Sequence, residues 1–375
     1  MIDDTLRLIQ ESVRKFVEKE VVPYGHKWEE QGFVPREVLR QMGGLGFLGL
    51  RYGEEFGGGG LDARATALLA EELGRSTYSG FAITVLVHTD MASPHLVNAG
   101  SPAQIKKYLP KIVSGELITA VAVTEPDAGS DVKSIRTSAR RDGGDWVLKG
   151  SKMFITNGAL ADLYFVAAKT DPAAGSKGIS IFIVEKGMPG FTVGRRLDKM
   201  GWRSSDTAEL VFDGCRVPEA NVLGEENRGF YAIMKNFQNE RIAIAAMAMG
   251  EAAKAIELTL EYVKTRKAFG APLWDKQAIR QRLSMLAARV EAGRQLVLHA
   301  ASLDAAKRDC VKEVSMAKAY CAELLNEVAY DCLQFHGGFG YIKESAIERM
   351  YRDARVQTIG GGATEVMLEE VAKRM

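Results

Sequence analysis

The sequence predicts a multi-domain α+β protein with an N-terminal helical domain, a central antiparallel β-barrel or sandwich domain, and a C-terminal four-helix-bundle domain. Apolar residues recur at helical spacing before about residue 117 and again after about residue 223. Between these stretches, short apolar or alternating runs are separated by turn residues, and no long amphipathic helix interrupts them. We therefore expect domains at residues 1–117, 118–222 and 223–375.

Length and composition exclude several classes of protein. The chain has 375 residues, of which 46% are hydrophobic, and this suffices for two or three domains with a sizeable core. The formal net charge of +1 gives no electrostatic reason to expect nucleic acid as a partner. The longest apolar run, residues 242–249, is too short to span a bilayer. The mixed charges of residues 1–22 are unlike a signal peptide, so we expect a protein without a membrane span that is cytoplasmic or is a mature form already stripped of a targeting segment.

The N-terminal domain is predicted to begin with an amphipathic helix within residues 1–22. Its apolar side chains follow helical spacing at Leu6, Ile9, Val13 and Phe16. Four glycines at residues 57–60 later interrupt the helical pattern. They follow no predicted strand and form no GxGxxG register, so the sequence does not indicate a phosphate-binding loop there.

Four strands of the central domain stand out in the sequence. They are predicted at residues 146–149, 163–169, 179–185 and 207–212. The run at 179–185 is almost entirely apolar, which indicates a strand buried on both faces. In the last strand Ala208, Leu210 and Phe212 alternate with other residues, which indicates one buried face.

The C-terminal domain is predicted to contain two long helices, at residues 240–267 and 277–307, where apolar residues recur at three- and four-residue steps. Cys310, Cys321 and Cys332 follow at intervals of eleven residues. On one continuous helix this interval separates neighbouring thiols by roughly 16 Å. Such a distance excludes a shared metal site or a disulfide, so we predict reduced core cysteines and no bound metal.

Five segments resemble, in the same order, the signature segments of the acyl-CoA dehydrogenase family. They are residues 123–131 (VTEPDAGSD), 152–158 (KMFITNG), 266–270 (RKAFG), 334–340 (QFHGGFG) and 352–365 (RDARVQTIGGGATE). The resemblance covers essentially the whole chain, which we identify as a member of this family. It implies FAD as cofactor, an acyl-CoA thioester as substrate, and an electron-transfer flavoprotein as electron acceptor.

The resemblance also assigns the residues of the FAD site. Residues 123–131 (the first loop) and 152–158 (the second loop) correspond to the two loops that cradle the flavin. The implied contacts in this domain are Val121, Val123, Thr124, Gly129, Ser130, Phe154, Ile155 and Thr156. An aromatic face at Phe154 suits packing against a flavin, and the hydroxyl of Thr156 suits hydrogen bonding to its edge. Many relatives have tryptophan at position 154. Judged by β-propensity alone, Phe154 and Thr156 are ordinary strand residues.

A second set of implied FAD contacts resembles the part of the site that a neighbouring subunit contributes. These residues are Arg266, Phe269, Gln277, Gln334, Phe335, His336, Gly337, Gly338, Thr364 and Glu365. An arginine fork suits a pyrophosphate, and paired glycines allow backbone amides to approach phosphate closely. A flavin site built from two chains requires an oligomer, and the family is typically a tetramer arranged as a dimer of dimers. We interpret His336 as a packed imidazole within this turn rather than as a catalytic group.

The position of the catalytic base is the main mechanistic question. Many family members carry the catalytic glutamate where this chain has Gly361. A branch resembling long-chain and isovaleryl-CoA dehydrogenases carries it on an earlier helix, in a Glu-Arg pair about twenty-six residues before the Arg-x-x-Phe-Gly motif. Glu240 and Arg241 match this pair, since Glu240 precedes Arg266 by 26 residues. The resemblance therefore implies that Glu240 takes the α-proton. From the residue pattern alone, Glu240 is instead a first-turn acid favoured by the helix dipole or paired with Arg241.

The substrate contacts are a looser extension of the same resemblance. It implies that Phe237, Arg241 and Ser130 lie along the CoA and pantetheine portion, and that Gly361 lines the acyl-thioester end. We expect the backbone N–H of Gly361 to donate a hydrogen bond to the thioester oxygen. Substrate length and branching stay open. Two alternatives also remain: a flavin-dependent oxidase-like or desulfinase-like enzyme on the same scaffold, and a non-catalytic flavin-binding protein.

Overall fold

The computed structural model describes residues 3–375, and its first part is helical. Its α-helices are α1 (Asp4–Phe16), α2 (Gly25–Gln31), α3 (Arg36–Gly44), α4 (Ala63–Gly74), α5 (Ser79–Leu86), α6 (Ser93–Ala99) and α7 (Pro102–Val113). Single π-helical segments follow α1 at Val17–Val21 and α5 at Val87–Ala92. The Asp3 side chain caps α1 by accepting from Leu6 N at 2.9 Å, and Ser101 caps α7 in a capping box with Gln104. The predicted first helix is thus confirmed.

The middle of the chain is a sheet. Its strands are β1 (Thr119–Ala122), β2 (Ser138–Asp142), β3 (Asp145–Thr156), β4 (Leu163–Lys169), β5 (Ile179–Glu185), β6 (Phe191–Arg196), β7 (Thr207–Pro218) and β8 (Val222–Leu223). They follow the order β6-β7-β3-β2-β4-β5-β8, and β1 pairs with β4. Most pairs are antiparallel, but β1 runs parallel to β4, and β2 meets β4 in one parallel pair. The central β-domain is confirmed, with parallel pairing that the sequence did not predict.

Helices return after β8. They are α8 (Gly229–Thr265), α9 (Gln277–Ala305), α10 (Val311–His336), α11 (Ala346–Ala354) and α12 (Thr364–Ala372). A two-stranded hairpin, β9 (Lys267–Ala268) with β10 (Ala271–Pro272), joins α8 to α9. Helix α8 packs against α4, α9 and α10, so it lies at the centre of the helical part of the molecule. Short 3₁₀ turns complete the chain at Phe47–Gly49, Glu54–Phe56, Val132–Ser134, Pro172–Gly178, Glu219–Asn221, Leu273–Asp275, Gly337–Tyr341 and Arg355–Thr358.

Two predicted features of side-chain chemistry can be checked directly. The amides of Gly58, Gly59 and Gly60 donate to backbone carbonyls of residues 49–53, so they are used within the loop itself. The cysteines are free and buried, as predicted, although Cys310 lies just before α10 rather than within it. Within residues 3–375, every helix is too short or too polar to cross a lipid bilayer.

One buried carboxylate joins the three parts of the chain. Asp353 of α11 is fully removed from solvent and accepts from Trp202 N at 2.6 Å and from Ser79 N at 3.3 Å. Trp202 precedes β7, while Ser79 begins α5. Burial raises the pKa of Asp353 to about 7, and the nearby Glu29 adds to this effect. Gly201 permits the approach, because a β-carbon there would lie 2.8 Å from Asp353 Oδ1.

Candidate active site

Glu240 is the twelfth residue of the 37-residue helix α8, three turns from its start. The first-turn interpretation is therefore wrong, because α8 begins at Gly229 and the helix dipole acts mainly near its ends. Burial raises the pKa of the Glu240 carboxyl to about 7, while the charges of Arg241 and Lys318 act in the opposite direction. A carboxyl of this kind is ready to accept a proton near neutral pH.

Gly361 lies directly beside this carboxyl. A β-carbon built at position 361 would lie 3.3 Å from Glu240 Oε1 and would overlap Cδ1 of Ile244, which is one turn further along α8. The residue also has φ +67°, a conformation that favours glycine. The structure thus brings together the two positions that the sequence singled out for the base, from α8 and from the segment before α12.

The backbone around Gly361 offers an unpaired donor. We call residues 359–363 the glycine loop. Its amides at Ile359 and Gly360 donate to the carbonyl of Val356, at 2.9 and 2.8 Å. Among residues 3–375, no group accepts a hydrogen bond from the N–H of Gly361. A backbone donor close to a carboxyl can stabilise negative charge that develops on a substrate oxygen.

Arg241 and Phe237 lie next to one another on the same helix. The Arg241 guanidinium carbon is 5.2 Å from the centroid of the Phe237 ring, a cation–π distance. Arg241 is buried, and its Nε has no hydrogen-bond partner in the described part of the chain. Burial lowers its pKa, and Glu240 opposes that effect. The pair therefore presents a buried cation with unused hydrogen-bonding capacity one residue from Glu240.

Lys318 is a residue of this site that sequence reasoning missed. It lies on α10 and is fully buried, and its ammonium donates a hydrogen bond to the carbonyl oxygen of Gly362. A signal existed in the sequence, because Lys318 shares a helical face with Val314, Cys321 and Leu325, which are all buried. A lysine on an apolar face is unusual and suggests a specific role.

The first and second loops are fastened together by a buried ion pair. Lys152 Nζ lies 2.7 Å from Glu125 Oε1 and also donates to the carbonyl of Val123 at 2.9 Å. Met153 N donates to Thr124 O at 2.9 Å. Burial raises the pKa of Glu125, but the Lys152 charge and hydrogen bonds from Lys152 and neighbouring groups outweigh this, so the net shift is downward. The two loops therefore form one rigid unit.

Phe154 is displayed on the surface of that unit. Its side chain is 61% exposed, and its φ of +60° falls where the register between β3 and β7 shifts. This bulge interrupts the strand and turns the ring outward. The other residues of this domain that were predicted to contact FAD differ in their exposure to solvent. Gly129 and Ser130 are exposed, Val121, Val123, Thr124 and Thr156 are partly exposed, and Ile155 is buried. Phe154 is thus not an ordinary strand residue.

The second predicted set gathers at the end of α8. Tyr262, one turn before Arg266, stacks on His336 with a centroid distance of 4.3 Å and on Phe339 at 5.8 Å. This stacking places the turn at residues 334–340 beside Arg266. His336 is buried, and its Nδ1 is 2.8 Å from the carbonyl of Cys332. Burial lowers the pKa of His336.

Most of the second set faces solvent. Arg266, Phe269, Gln277, Gln334, Gly337, Gly338 and Glu365 are exposed, while Phe335 and Thr364 are partly exposed. Phe269 is 97% exposed, an extreme value for a large apolar side chain. Among residues 3–375, no hydrogen bond, ion pair or ring contact joins this set to the first or second loop.

Family models match all three parts of the chain. The N-terminal domain of acyl-CoA dehydrogenase matches residues 3–116, the middle domain matches 120–215, and the C-terminal domain matches 227–375. The long-chain specific acyl-CoA dehydrogenase of Mus musculus mitochondria is 44% identical over 98% of this chain and 86% of its own length.

Solved structures agree over the full chain. An acyl-CoA dehydrogenase from Geobacillus kaustophilus superposes with a TM-score of 0.95 at 40% identity, covering 99% of this chain and 98% of that one. A glutaryl-CoA dehydrogenase from Mycobacterium smegmatis, in complex with FADH2, superposes with a TM-score of 0.94 at 32% identity, covering 99% of this chain and 94% of that one. The chain belongs to the acyl-CoA dehydrogenase family of oxidoreductases.

Proposed function

We propose that this protein catalyses the FAD-dependent α,β-dehydrogenation of an acyl-CoA thioester to a trans-2-enoyl-CoA, with Glu240 as the base. The observation that carries the proposal is the position of the Glu240 carboxyl, 3.3 Å from where a β-carbon of residue 361 would lie. Glu240 thus supplies a carboxylate beside position 361, from which other family members, by resemblance, supply theirs.

Glu240 removes the proton from the substrate α-carbon. Its pKa of about 7 suits this step, because a general base works best when its pKa lies near the working pH. As the proton leaves, negative charge develops on the thioester oxygen. The unpaired N–H of Gly361 is available to donate a hydrogen bond to that oxygen. The two groups therefore act on neighbouring atoms of one substrate.

The CoA portion of the substrate is held by residues on both sides of this point. Arg241 offers a buried cation with an unpaired Nε, and Phe237 supports its guanidinium plane. Ser130 is exposed in the first loop, where its hydroxyl is available to the pantetheine chain. The part of the site beyond Gly361, where the acyl chain would lie, should determine which substrate chain lengths and branching patterns are accepted. A panel of acyl-CoA thioesters can measure this preference.

The residues present fit FAD. Phe154 offers an exposed aromatic face, and Gly129 has no atom within 4 Å of where a β-carbon would lie, which leaves room for a bound group. When bound, FAD accepts the hydride from the substrate β-carbon, and we propose an electron-transfer flavoprotein as the acceptor of those electrons. The rigid unit formed by Glu125 and Lys152 fixes the loop backbone around the cofactor.

A second copy of the chain completes the proposed cofactor site. Arg266 is exposed and makes no ion pair among residues 3–375, while Gly337 and Gly338 have open space where β-carbons would lie. An unpaired guanidinium beside open glycines suits the pyrophosphate of FAD. Since no hydrogen bond, ion pair or ring contact within residues 3–375 joins these residues to the first and second loops, we propose that they serve a neighbouring subunit in a tetramer.

Glu240→Gln tests the proposal. The variant should bind FAD like the wild type, yet lose about 100- to 10,000-fold in turnover, the usual contribution of a general base. Purified wild-type protein, mixed anaerobically with straight, branched and cyclic acyl-CoA thioesters, should lose its yellow colour with at least one of them. Absence of bleaching across the whole panel would contradict the reaction, and near-normal turnover of Glu240→Gln would contradict the base.

Glu251→Gln is the matched control. Glu251 lies on α8 like Glu240 but is fully buried; it accepts from Gln357 Nε2 at 2.8 Å, and burial raises its pKa well above the ordinary value. Burial thus favours the neutral form of this carboxyl, and glutamine is a close mimic of that form. This variant should keep turnover within a few-fold of the wild type.

A further inference from the structure

Lys318 occupies a site that is unusual for a charged side chain. It is fully buried on α10 between Ala317 and Ala319, which are also buried. Lysine is among the residues least often fully buried, because an ammonium loses its hydration there. Its ammonium donates to the neutral carbonyl oxygen of Gly362, and among residues 3–375 no carboxylate lies within 4.0 Å of it. The energetic cost of this burial is therefore not offset by a direct salt bridge.

Charged groups from three helices surround this ammonium. Arg241 and Glu240 face it from α8, Glu323 from its own helix, and Glu365 from α12. Burial and the charge of Arg241 lower the pKa of Lys318, the three glutamates oppose these effects, and the net result is a pKa of about 8. In return, the Lys318 charge is one of two that stabilise the ionised form of Glu240, the other being that of Arg241. Glu370 of α12 and Arg374, which follows that helix, act on Arg241 rather than on Glu240 directly.

The partner of Lys318 is the glycine loop. Its three consecutive glycines, residues 360–362, have no side chains that could fix their peptide planes. Gly361 and Gly362 both have positive φ, +67° and +104°. The hydrogen bond from Lys318 to Gly362 O therefore anchors the loop immediately after the Gly361 N–H, the proposed donor to the thioester oxygen.

We propose that Lys318 is a positioning residue for the reaction, which anchors the glycine loop beside Glu240 and stabilises the Glu240 carboxylate through its charge. This inference rests on the proposed function, because it concerns the base and the donor named there. Lys318 touches no reacting atom. It acts through Gly362 on one side and through the electrostatic field at Glu240 on the other.

Three substitutions separate the anchor from the charge. Lys318→Met removes both, Lys318→Gln keeps a hydrogen-bond donor without charge, and Lys318→Arg keeps the charge. Loss of a nearby positive charge makes the carboxylate less favourable and raises the pKa of Glu240. The acid limb of the kcat/KM profile should therefore move to higher pH, by about one unit, in Lys318→Met and Lys318→Gln. In Lys318→Arg it should stay near the wild-type position.

A second readout is independent of turnover. Glu240→Gln removes the titrating group. The difference in free energy of unfolding between this variant and its parent therefore changes with pH only as Glu240 titrates, and the midpoint of that change reports the titration of Glu240. The same comparison is made between Lys318→Gln and the double variant Lys318→Gln/Glu240→Gln. The midpoint pH of the stability difference should be higher there than in the wild-type background, by the same amount as the shift of the acid limb. Because glutamine keeps a donor to Gly362, this variant serves even where the methionine variant does not fold.

Lys199→Met is the matched control. Lys199 is also largely enclosed, and its Nζ donates to the neutral oxygens of Ser205 and Thr207, at 2.6 to 3.0 Å. Burial lowers its pKa to about 8 as well, but it does not act on Glu240. The acid limb should not move in this variant.

The outcomes distinguish the two proposals. If Glu240→Gln is inactive but neither the acid limb nor the stability midpoint moves in Lys318→Gln, Lys318 is a structural lysine and this inference is wrong. If Glu240→Gln keeps wild-type turnover, the assignment of Glu240 as the base in the proposed function is wrong. Movement of both readouts in Lys318→Gln, with no movement in Lys318→Arg and Lys199→Met, supports the inference.

Discussion

Lys152 and Glu125 form an ion pair that is almost completely removed from solvent, with Lys152 0% and Glu125 7% exposed at the side chain and 2.7 Å between the charged atoms. Glu125 also accepts from the backbone N–H groups of Arg136 and Thr137, at 2.6 and 3.0 Å. The pair therefore joins the first loop, strand β3 and the residues just before β2 at a single point.

Breaking this pair should destabilise the protein strongly. Lys152→Met leaves a buried carboxylate with only its backbone donors, and removing one partner of a buried pair costs about 3–5 kcal/mol. Urea unfolding should show this loss, together with weaker FAD binding. Arg216→Met is the control, because the pair of Arg216 with Asp142 is more than half exposed and such pairs contribute about 0–1 kcal/mol. Equal losses in the two variants would contradict the prediction.

Ionising Glu240 should cost stability. Its pKa in the folded protein, about 7, lies above its ordinary value of 4.5, so the folded state binds more protons between these values. Stability due to this group is therefore full below about pH 4.5 and lost as the pH rises through 7. Glutamine cannot ionise, so Glu240→Gln should gain on the order of 1–3 kcal/mol relative to the wild type between pH 5 and pH 8.

Urea unfolding of both proteins at the two pH values measures this gain. Glu261→Gln, an exposed acid on the same helix, is the control for removal of one negative charge. A stability gap between Glu240→Gln and the wild type that does not change with pH would contradict the prediction.

Adding one methyl group at position 361 should impair both folding and catalysis. Gly361→Ala requires φ +67° for alanine and places a β-carbon into Ile244 Cδ1 and against Glu240. Gly214→Ala isolates the first effect, because Gly214 has φ +68° and no atom within 4 Å of its β-carbon position. Both variants should lose about 1–2 kcal/mol through the backbone. Only Gly361→Ala should lose further stability and turnover.

Shortening Ile244 should then restore part of that additional loss, since the overlap is with its Cδ1 atom. The double variant Gly361→Ala/Ile244→Val, measured with both single variants by unfolding and by kcat, tests this coupling. Additive losses would show that the two residues do not compete for the same space.

Removing the Arg266 guanidinium should weaken cofactor binding. A hydrogen bond to a charged group contributes about 1.5–3 kcal/mol, which corresponds to roughly 10- to 100-fold in affinity. Arg266→Ala should therefore raise the Kd for FAD by that factor, measured by fluorescence titration at protein concentrations where sedimentation shows the oligomer. Lys267→Ala removes a neighbouring exposed cation and should change the Kd by less than threefold. An unchanged Kd in Arg266→Ala would contradict the role of Arg266.

The sequence located the elements best where burial is uniform. Strands β4 and β5 begin and end at the residues predicted, because their apolar runs are buried throughout. Strand β7 was predicted to end at Phe212 but continues to Pro218, since Asp213-Gly214 lies at a register shift with β3 instead of in a turn. The parallel pairing of β1 with β4 depends on distant residues and left no local pattern.

The start of helix α8 was not predicted, because buried polar residues interrupt its apolar pattern. The helix was predicted from residue 240 but begins at Gly229, because polar residues interrupt the apolar pattern in its first turns. Two of these, Asn236 and Asn239, are in fact buried and donate to the carbonyls of Met91 and Asp90, at 2.9 and 2.8 Å. Their amides thus meet partners from the N-terminal part, which no local pattern can reveal.

The residues of the candidate site that belong to sequence motifs could be predicted. The one residue that belongs to no motif, Lys318, was missed. Glu240 and Gly361 were linked by spacing and resemblance, and they lie side by side in the structure. Lys318 was overlooked because a charged residue in a helix is usually solvated, and only the folded position of Gly362 gives its ammonium a partner. Their roles in the reaction remain predictions for the experiments above.

Asp353 links its own helix, α11, to the start of α5 and to the segment before β7. Its two carboxylate oxygens accept hydrogen bonds from the backbone N–H groups of Trp202 and Ser79, so one side chain connects two other segments of the chain. If either hydrogen bond breaks while Asp353 stays buried, one carboxylate oxygen is left without a donor, which is energetically costly. The three parts should therefore melt together as one cooperative unit, with a single calorimetric transition, rather than one after another.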